Sequence, residues 1–333
     1  MSSRTPWLPA LRFFLTLPLL AGLLALLVSA AQSAPIRVIY GAVAASNTPV
    51  WVAQEKDLFK KYGLATQLSH IATTQAVQAL LSGDIQFTTA SAQIVYADLA
   101  GGDAIYIAGL TNHFVFSLYG KAGIKSVADL KGRTIASTQP DEPTTISVRM
   151  ALSKEGMDPE KDVKFTYLRE MPAILGSLSQ GVVDAAVMSP PTNLLARELG
   201  FRQVIDIAAM KIPFIHSAIA AQRTYVRANP ETTRNFLKAI VAALKICREQ
   251  REDTLAIMAK YTKIEKPSLL EEAYQGFHAT WEKIPYVSRE GVETVLDLSK
   301  NPKARAAKPE EFLDNSFLKE LETSGFVDAL YKK

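Results

Sequence analysis

Residues Leu130 to Met157 read LKGRTIASTQPDEPTTISVRMALSKEGM, and this stretch decides the fold. Thr134 to Ser137 predicts a short apolar strand, Gln139 to Thr145 a loop rich in Pro and side-chain oxygens, and Ile146 to Glu155 a helix stopped by Gly156. The same order of strand, loop and helix occurs 98 residues upstream, as Ile36 to Tyr40, Gly41 to Thr48 and a helix from Pro49 to Lys61 stopped by Gly63. That offset also maps Gly181-Val-Val-Asp-Ala-Ala-Val-Met-Ser189 onto Gly83-Asp-Ile-Gln-Phe-Thr-Thr-Ala-Ser91. Two blocks that keep one offset imply a chain built from two similar halves.

Outward from the repeat, strands alternate with helices in both halves, which predicts an α/β protein with parallel sheets covered on both faces. The first half gives strands at Ile36 to Tyr40, Leu64 to Ile71 and Ile85 to Thr88; the second gives Thr134 to Ser137, Val163 to Leu168 and Val182 to Met188. Two apolar extended segments, Phe114 to Tyr119 and Ile215 to Ala221, read as crossings between two lobes. From Asn229-Pro230 onward the chain is helical, and since this tail follows the second crossing it belongs to the first lobe. The expected division is 35–116 with 217–333 as lobe 1, and 117–216 as lobe 2.

At 333 residues the chain holds two sizeable cores, and 48% hydrophobic with 21% charged residues places it among ordinary globular proteins. Arg4 and Arg12, the apolar run Phe13 to Val28 and the small residues through Ala34 read as a cleavable signal peptide over 1–34, with the cut near 31–34. Its removal lowers the formal charge from +4 to about +2. The densest basic run, Lys300 to Lys308, is interrupted by Pro302 and lacks aromatics, so a nucleic-acid surface is not expected. The single cysteine, Cys247, lies at an apolar position of a helix and leaves no intramolecular disulfide.

In an open parallel sheet the loops at the carboxyl ends of the strands collect at one edge, and each leads into a helix whose first amides are unpaired. Six such loops carry hydroxyls and acids: Gly41 to Thr48, Ala72 to Gln75 and Ala90 to Gln93 from the first half, and Gln139 to Thr145, Arg169 to Pro172 and Ser189 to Asn193 from the second. The candidate ligand contacts are Ser46, Thr48, Thr73, Thr74, Ser91, Asp141, Thr144, Thr145, Glu170 and Ser189. Helix capping accounts equally for any one of the hydroxyls; their gathering on six homologous loops is what points to a ligand. Enzyme signatures are absent: there is no G-x-G-x-x-G, no P-loop and no G-x-S-x-G elbow. His70, His113, His216 and His278 share no metal-ligand spacing, although His113 and His216 border the two crossings.

The segments Pro49-Val-Trp-Val-Ala-Gln-Glu55, Leu58-Phe-Lys-Lys-Tyr-Gly-Leu64, Ala79-Leu-Leu-Ser-Gly-Asp84, Ile124-Lys-Ser-Val-Ala-Asp-Leu-Lys-Gly132 and Gly181-Val-Val-Asp-Ala-Ala186, in that order, resemble the periplasmic solute-binding proteins of ABC importers. The branch is the one associated with nitrate, sulfonate, taurine and thiamine-pyrimidine precursors. The resemblance implies a type 2 periplasmic-binding-protein fold, with two α/β lobes joined by hinge crossings. It implies a monomer in the periplasm that captures a small molecule in the interlobe cleft, without cofactor, metal or turnover, and delivers it to an ABC permease and its ATPase. Where relatives often carry a Gly-Ser-type turn, this chain has Gln139-Pro-Asp-Glu-Pro143, with Glu170 in the adjacent loop. Carboxylates there oppose a bare anion such as nitrate and suit a zwitterion, an amine or a pyrimidine-like heteroaromatic. A sensor or chemoreceptor partner of the same fold is the alternative role; a pyrimidine-synthase-like enzyme is a further one, disfavoured by the signal segment and the single helix-borne Cys247.

Overall fold

Ten short strands carry the repeat into three dimensions. In the computed structural model, which describes residues 34–140, 142–168 and 170–332, they form two five-stranded sheets. The expected signal segment lies outside the described residues. The first sheet contains β1 (Ile36–Tyr40), β2 (Thr66–His70), β3 (Phe87–Ala90), β4 (Ile105–His113) and β10 (Pro213–Ala221), in the order β2-β1-β3-β10-β4. The second contains β5 (Ser117–Gly120), β6 (Thr134–Ser137), β7 (Lys164–Tyr167), β8 (Ala185–Met188) and β9 (Arg202–Ile205), in the order β7-β6-β8-β5-β9. The strands β1 and β6, β2 and β7, and β3 and β8 each begin 98 residues apart, as do the helices Thr73–Ser82 and Met171–Ser179.

In each sheet four strands run one way and one runs against them; the first sheet takes that strand, β10, from beyond the second, whose five strands are consecutive in the chain. β1 pairs in parallel with β2 and β3, and β6 with β7 and β8, as helical crossovers require. β10 then runs antiparallel to β3 and β4, and β5 antiparallel to β8 and β9. The chain leaves the first sheet after β4, inserts β5 into the second, and returns after β9 to insert β10 into the first. The passages therefore fall at residues 114–116 and 206–212. This differs in part from the expectation that Ile215 to Ala221 would be a crossing: β10 is already in the first sheet at Pro213, paired with His113.

Burial follows the sequence pattern. β3 and β8 are buried at all four positions, as central strands covered on both faces must be. Gly83 and Gly181, 98 residues apart, close corresponding helices with φ of 84° and 72°, a conformation that a side chain would strain. The long helix Pro230–Glu249 buries Phe236, Leu237, Ile240, Val241 and Leu244 against the first sheet, with Phe236 stacked on Phe87 at a centroid distance of 3.9 Å. Trp51 is fully buried and stacks on Tyr261 at 4.8 Å, so it belongs to the core. Cys247 is a buried free thiol in the same cluster, its pKa pushed up by desolvation. Among the described residues no helix is long and apolar enough to cross a membrane.

Candidate functional site

The parallel strands of both sheets end at one cavity of about 730 Å³. From the first sheet, the loop after β1 contributes Gly41 to Asn47, including the short 3-10 turn Ala45–Asn47 that leads into the helix Thr48–Glu55. Thr73 Oγ1 donates to the Gly41 carbonyl at 3.0 Å, and the Gly41 amide donates to Thr89 Oγ1 at 3.2 Å. A Cβ on Gly41 would sit 2.5 Å from Thr73 Oγ1 and 2.9 Å from the Thr89 carbonyl oxygen, so only glycine lets these three loops meet. Ser91 Oγ donates to the Ile215 carbonyl at 2.5 Å, tying the loop after β3 to β10.

The opposite wall comes from the second sheet: Thr138, Glu142, Pro143 and Thr144 after β6, Glu170 to Pro172 after β7, and Ser189 to Thr192 after β8. The remaining lining includes Phe116 from the first passage, His216 and Ser217 from β10, and Thr262, Ile264 and Phe277 from the helical tail. His216 stands between Phe116 and Phe277, at ring-centroid distances of 5.4 and 6.3 Å. Burial, with a smaller contribution from His113, pushes its pKa down to about 4, so the ring is neutral at pH 7.

Of the ten residues expected from sequence, Ser46, Thr73, Ser91, Thr144, Glu170 and Ser189 line this cavity. Three others stand outside its lining. Thr48 is fully buried and donates to the Ala45 carbonyl at 2.7 Å; Thr145 is fully buried and shares a hydrogen bond of 2.8 Å with Ser137; Thr74 is exposed on the first turn of its helix. Asp141 lies outside the described residues. Sequence reading passed over Asn47, Thr138 and Phe277 as ligand contacts. Asn47 was legible within the loop Gly41 to Thr48, whereas Phe277 comes from a helix with no repeat partner and carried no signal.

The electrostatics of the lining are one-sided. Among its described residues there are two carboxylates, Glu142 and Glu170, and no Lys or Arg. Three lining residues also keep a buried polar atom without a partner: Asn47 Oδ1, Thr138 Oγ1 and His216 Nδ1. An unpaired buried polar atom costs about 1–3 kcal/mol, so these three atoms call for a partner that the protein's own described groups do not supply. A smaller cavity of about 500 Å³ lies beside Arg223, but that guanidinium is already paired with Asp98 at 2.6 Å. No group of three or more His, Cys, Asp or Glu among the described residues is placed to hold a metal ion.

The chain is similar to known proteins. The family model described as NMT1/THI5 like matches residues 44–254. A Brucella abortus protein provisionally named a binding protein is 27% identical over 269 residues, spanning 79% of this chain and 83% of its own. A solved structure from Bordetella bronchiseptica superposes with a TM-score of 0.71 at 19% identity, covering 87% of this chain and 98% of that one. The periplasmic aliphatic sulphonate binding protein SsuA from Escherichia coli superposes with a TM-score of 0.65 at 21% identity, covering 84% and 98%. At these identities the superpositions speak to the fold.

Proposed function

The chain belongs to the NMT1/THI5-like family, and from that premise we propose that it is an extracytoplasmic solute-binding protein of an ABC importer, capturing a small polar or zwitterionic organic molecule between its two lobes. The observation that carries this reading is the single cavity reached by strand-end loops of both sheets, since a ligand there contacts each half of the repeat at once. A volume of about 730 Å³ suits an organic molecule far larger than nitrate. The apolar lining, with Phe116, Met171, Ile264 and Phe277, favours a ligand with a carbon body. Sulfonate- or taurine-like and pyrimidine-like molecules are the classes in view.

In this reading the segment 1–34 is removed on export, the mature chain acts as a monomer in the periplasm, and a permease with its ATPase receives the ligand. Lobe 1 is read as 35–116 and 217–333 and lobe 2 as 117–216, although β10 joins the first sheet already at Pro213, which favours a return to lobe 1 a few residues earlier. In this reading the ligand leaves unchanged. Mass spectrometry of small molecules released by denaturing the purified protein is the test. One organic molecule near equimolar amount, which raises the melting temperature when added back, is the expected result. A molecule chemically altered on re-incubation with the protein would contradict the binding role.

A further inference from the structure

The wall of the cavity contains an atom whose chemistry is fixed by its neighbour. Asn47 Nδ2 donates to the Ala42 carbonyl at 2.8 Å, which sets the amide orientation and leaves Oδ1 as the atom without a partner. An amide oxygen only accepts, so the missing partner must be a donor. Glu142 and Glu170, from the second sheet, are acceptors as well, and no Lys or Arg stands among the described lining residues to reverse the sign. The hydroxyls of Ser46, Thr144 and Ser189 adapt to either role, so they do not choose between ligands.

Building on the solute-binding reading above, we propose that this cavity selects its ligand by an N–H donor group, with Asn47 Oδ1 as the specificity-determining acceptor, and that oxyanions lacking such a group are rejected. A protonated amine or an amino-substituted ring satisfies Asn47 and gains from the carboxylates. A sulfonate or nitrate would leave Asn47 Oδ1 unpaired and would meet the half-buried Glu142 and the exposed Glu170 on the opposite wall. Recognition of a zwitterion then divides the work: its amine meets the acceptors, and its anionic end meets hydroxyls and helix amides. The neutral His216 ring, between Phe116 and Phe277, adds no positive charge to help an anion.

The experiment is calorimetric titration of the full mature chain with two matched pairs of probes, taurine against ethanesulfonate and benzylamine against benzenesulfonate. In each pair the amine-bearing probe is expected to bind at least about tenfold tighter, the difference of one unsatisfied hydrogen bond with a charged group. Asn47→Asp and Asn47→Leu both lose the donor to Ala42, and only the first keeps an acceptor, so comparing the two isolates the acceptor from the fold. The preference should survive in Asn47→Asp and shrink by about tenfold in Asn47→Leu, leaving only what Glu142 and Glu170 contribute. Melting of both variants without ligand controls for the shared loss. Equal or tighter binding of the sulfonate partners overturns the inference and leaves the solute-binding reading standing, as does a preference undiminished in Asn47→Leu. Binding of none of the four probes up to about 10 mM also overturns the inference, because an amine then gains no capture from the Asn47 acceptor, while the solute-binding reading is decided by the molecule released on denaturation.

Discussion

At the scale of single residues, the candidate site separates hydroxyls that face the cavity from hydroxyls that serve the fold. Ser46→Ala, Thr144→Ala and Ser189→Ala should each weaken ligand binding by about 1 kcal/mol, or about 1.5–3 where the partner is charged, with little change in melting. Thr48→Val and Thr145→Val should do the reverse, since both side chains are sealed in the protein and bonded within it. Binding calorimetry beside thermal melting distinguishes the two sets, and an interchange of their behaviours would count against the assignment. His216 gives a prediction with a definite sign. Its folded-state pKa near 4 lies below the ordinary 6.5, so between those values the unfolded chain takes up a proton that the folded chain refuses. Stability from this residue is complete above pH 6.5 and is lost as pH falls towards 4, on the order of 3 kcal/mol in all. His113, also lowered by burial, adds to the same slope. Denaturant melts of wild type and His216→Phe from pH 7.5 to 4.5 should diverge in this sense; parallel curves would show that His216 does not titrate as described. The site hydroxyls were legible from sequence as a class, because a loop that starts a helix advertises its capping residues. Which of them turn inward was not, because Thr144 and Thr145 are neighbours in sequence and differ only in how the helix start is rotated.

The elements show the same division between local and long-range information. Strand and helix positions followed from periodicity and from Gly83 and Gly181, and the 98-residue offset located the second half from the first. The insertion of β5 and β10 as antiparallel strands left no comparable mark, since an apolar extended segment reads alike in either direction. Nor did the reach of the helix Pro267–His278, which buries Ala273, Tyr274 and Phe277 in the first sheet's cluster and meets the helix Thr192–Glu198 of the second. There Glu272 pairs with Arg197 at 2.8 Å and Lys266 with Glu198 at 2.7 Å, while Gly276 packs on Pro190. A Cβ at Gly276 would stand 2.5 Å from Pro190 Cγ, and Pro190 and Phe277 both line the cavity. Gly276→Val should therefore part the two helices and weaken ligand binding by about tenfold or more, with a destabilisation of about 1–3 kcal/mol from overpacking. The exposed Lys266–Glu198 pair is a milder lever: Glu198→Lys should cost less than about 1 kcal/mol, and the double exchange with Lys266→Glu should restore it. An unchanged affinity in Gly276→Val would show that this contact is independent of the site.

For the whole molecule, a second sheet of consecutive strands inserted between β4 and β10 of the first implies lobes joined by two passages, a geometry suited to hinge closure around a ligand. Small-angle scattering should give a smaller radius of gyration at saturating ligand, and identical profiles would argue for a rigid cleft. Two similar halves and the family resemblance were legible from sequence because the repeat and the ordered motifs span most of residues 36–189. The polarity of the lining was only half legible: Glu142 and Glu170 stood out as charges, but the orientation of Asn47 depends on the Ala42 carbonyl and exists only in the fold. The most direct measurement is hydrogen exchange of the full mature chain with and without the molecule released from it on denaturation. Protection should appear together at residues 41–48, 72–75 and 90–93 on one wall and at 138–145, 170–172 and 189–193 on the other. Protection confined to the loops of one sheet, or centred on Arg223 and Asp98, would contradict capture between the lobes.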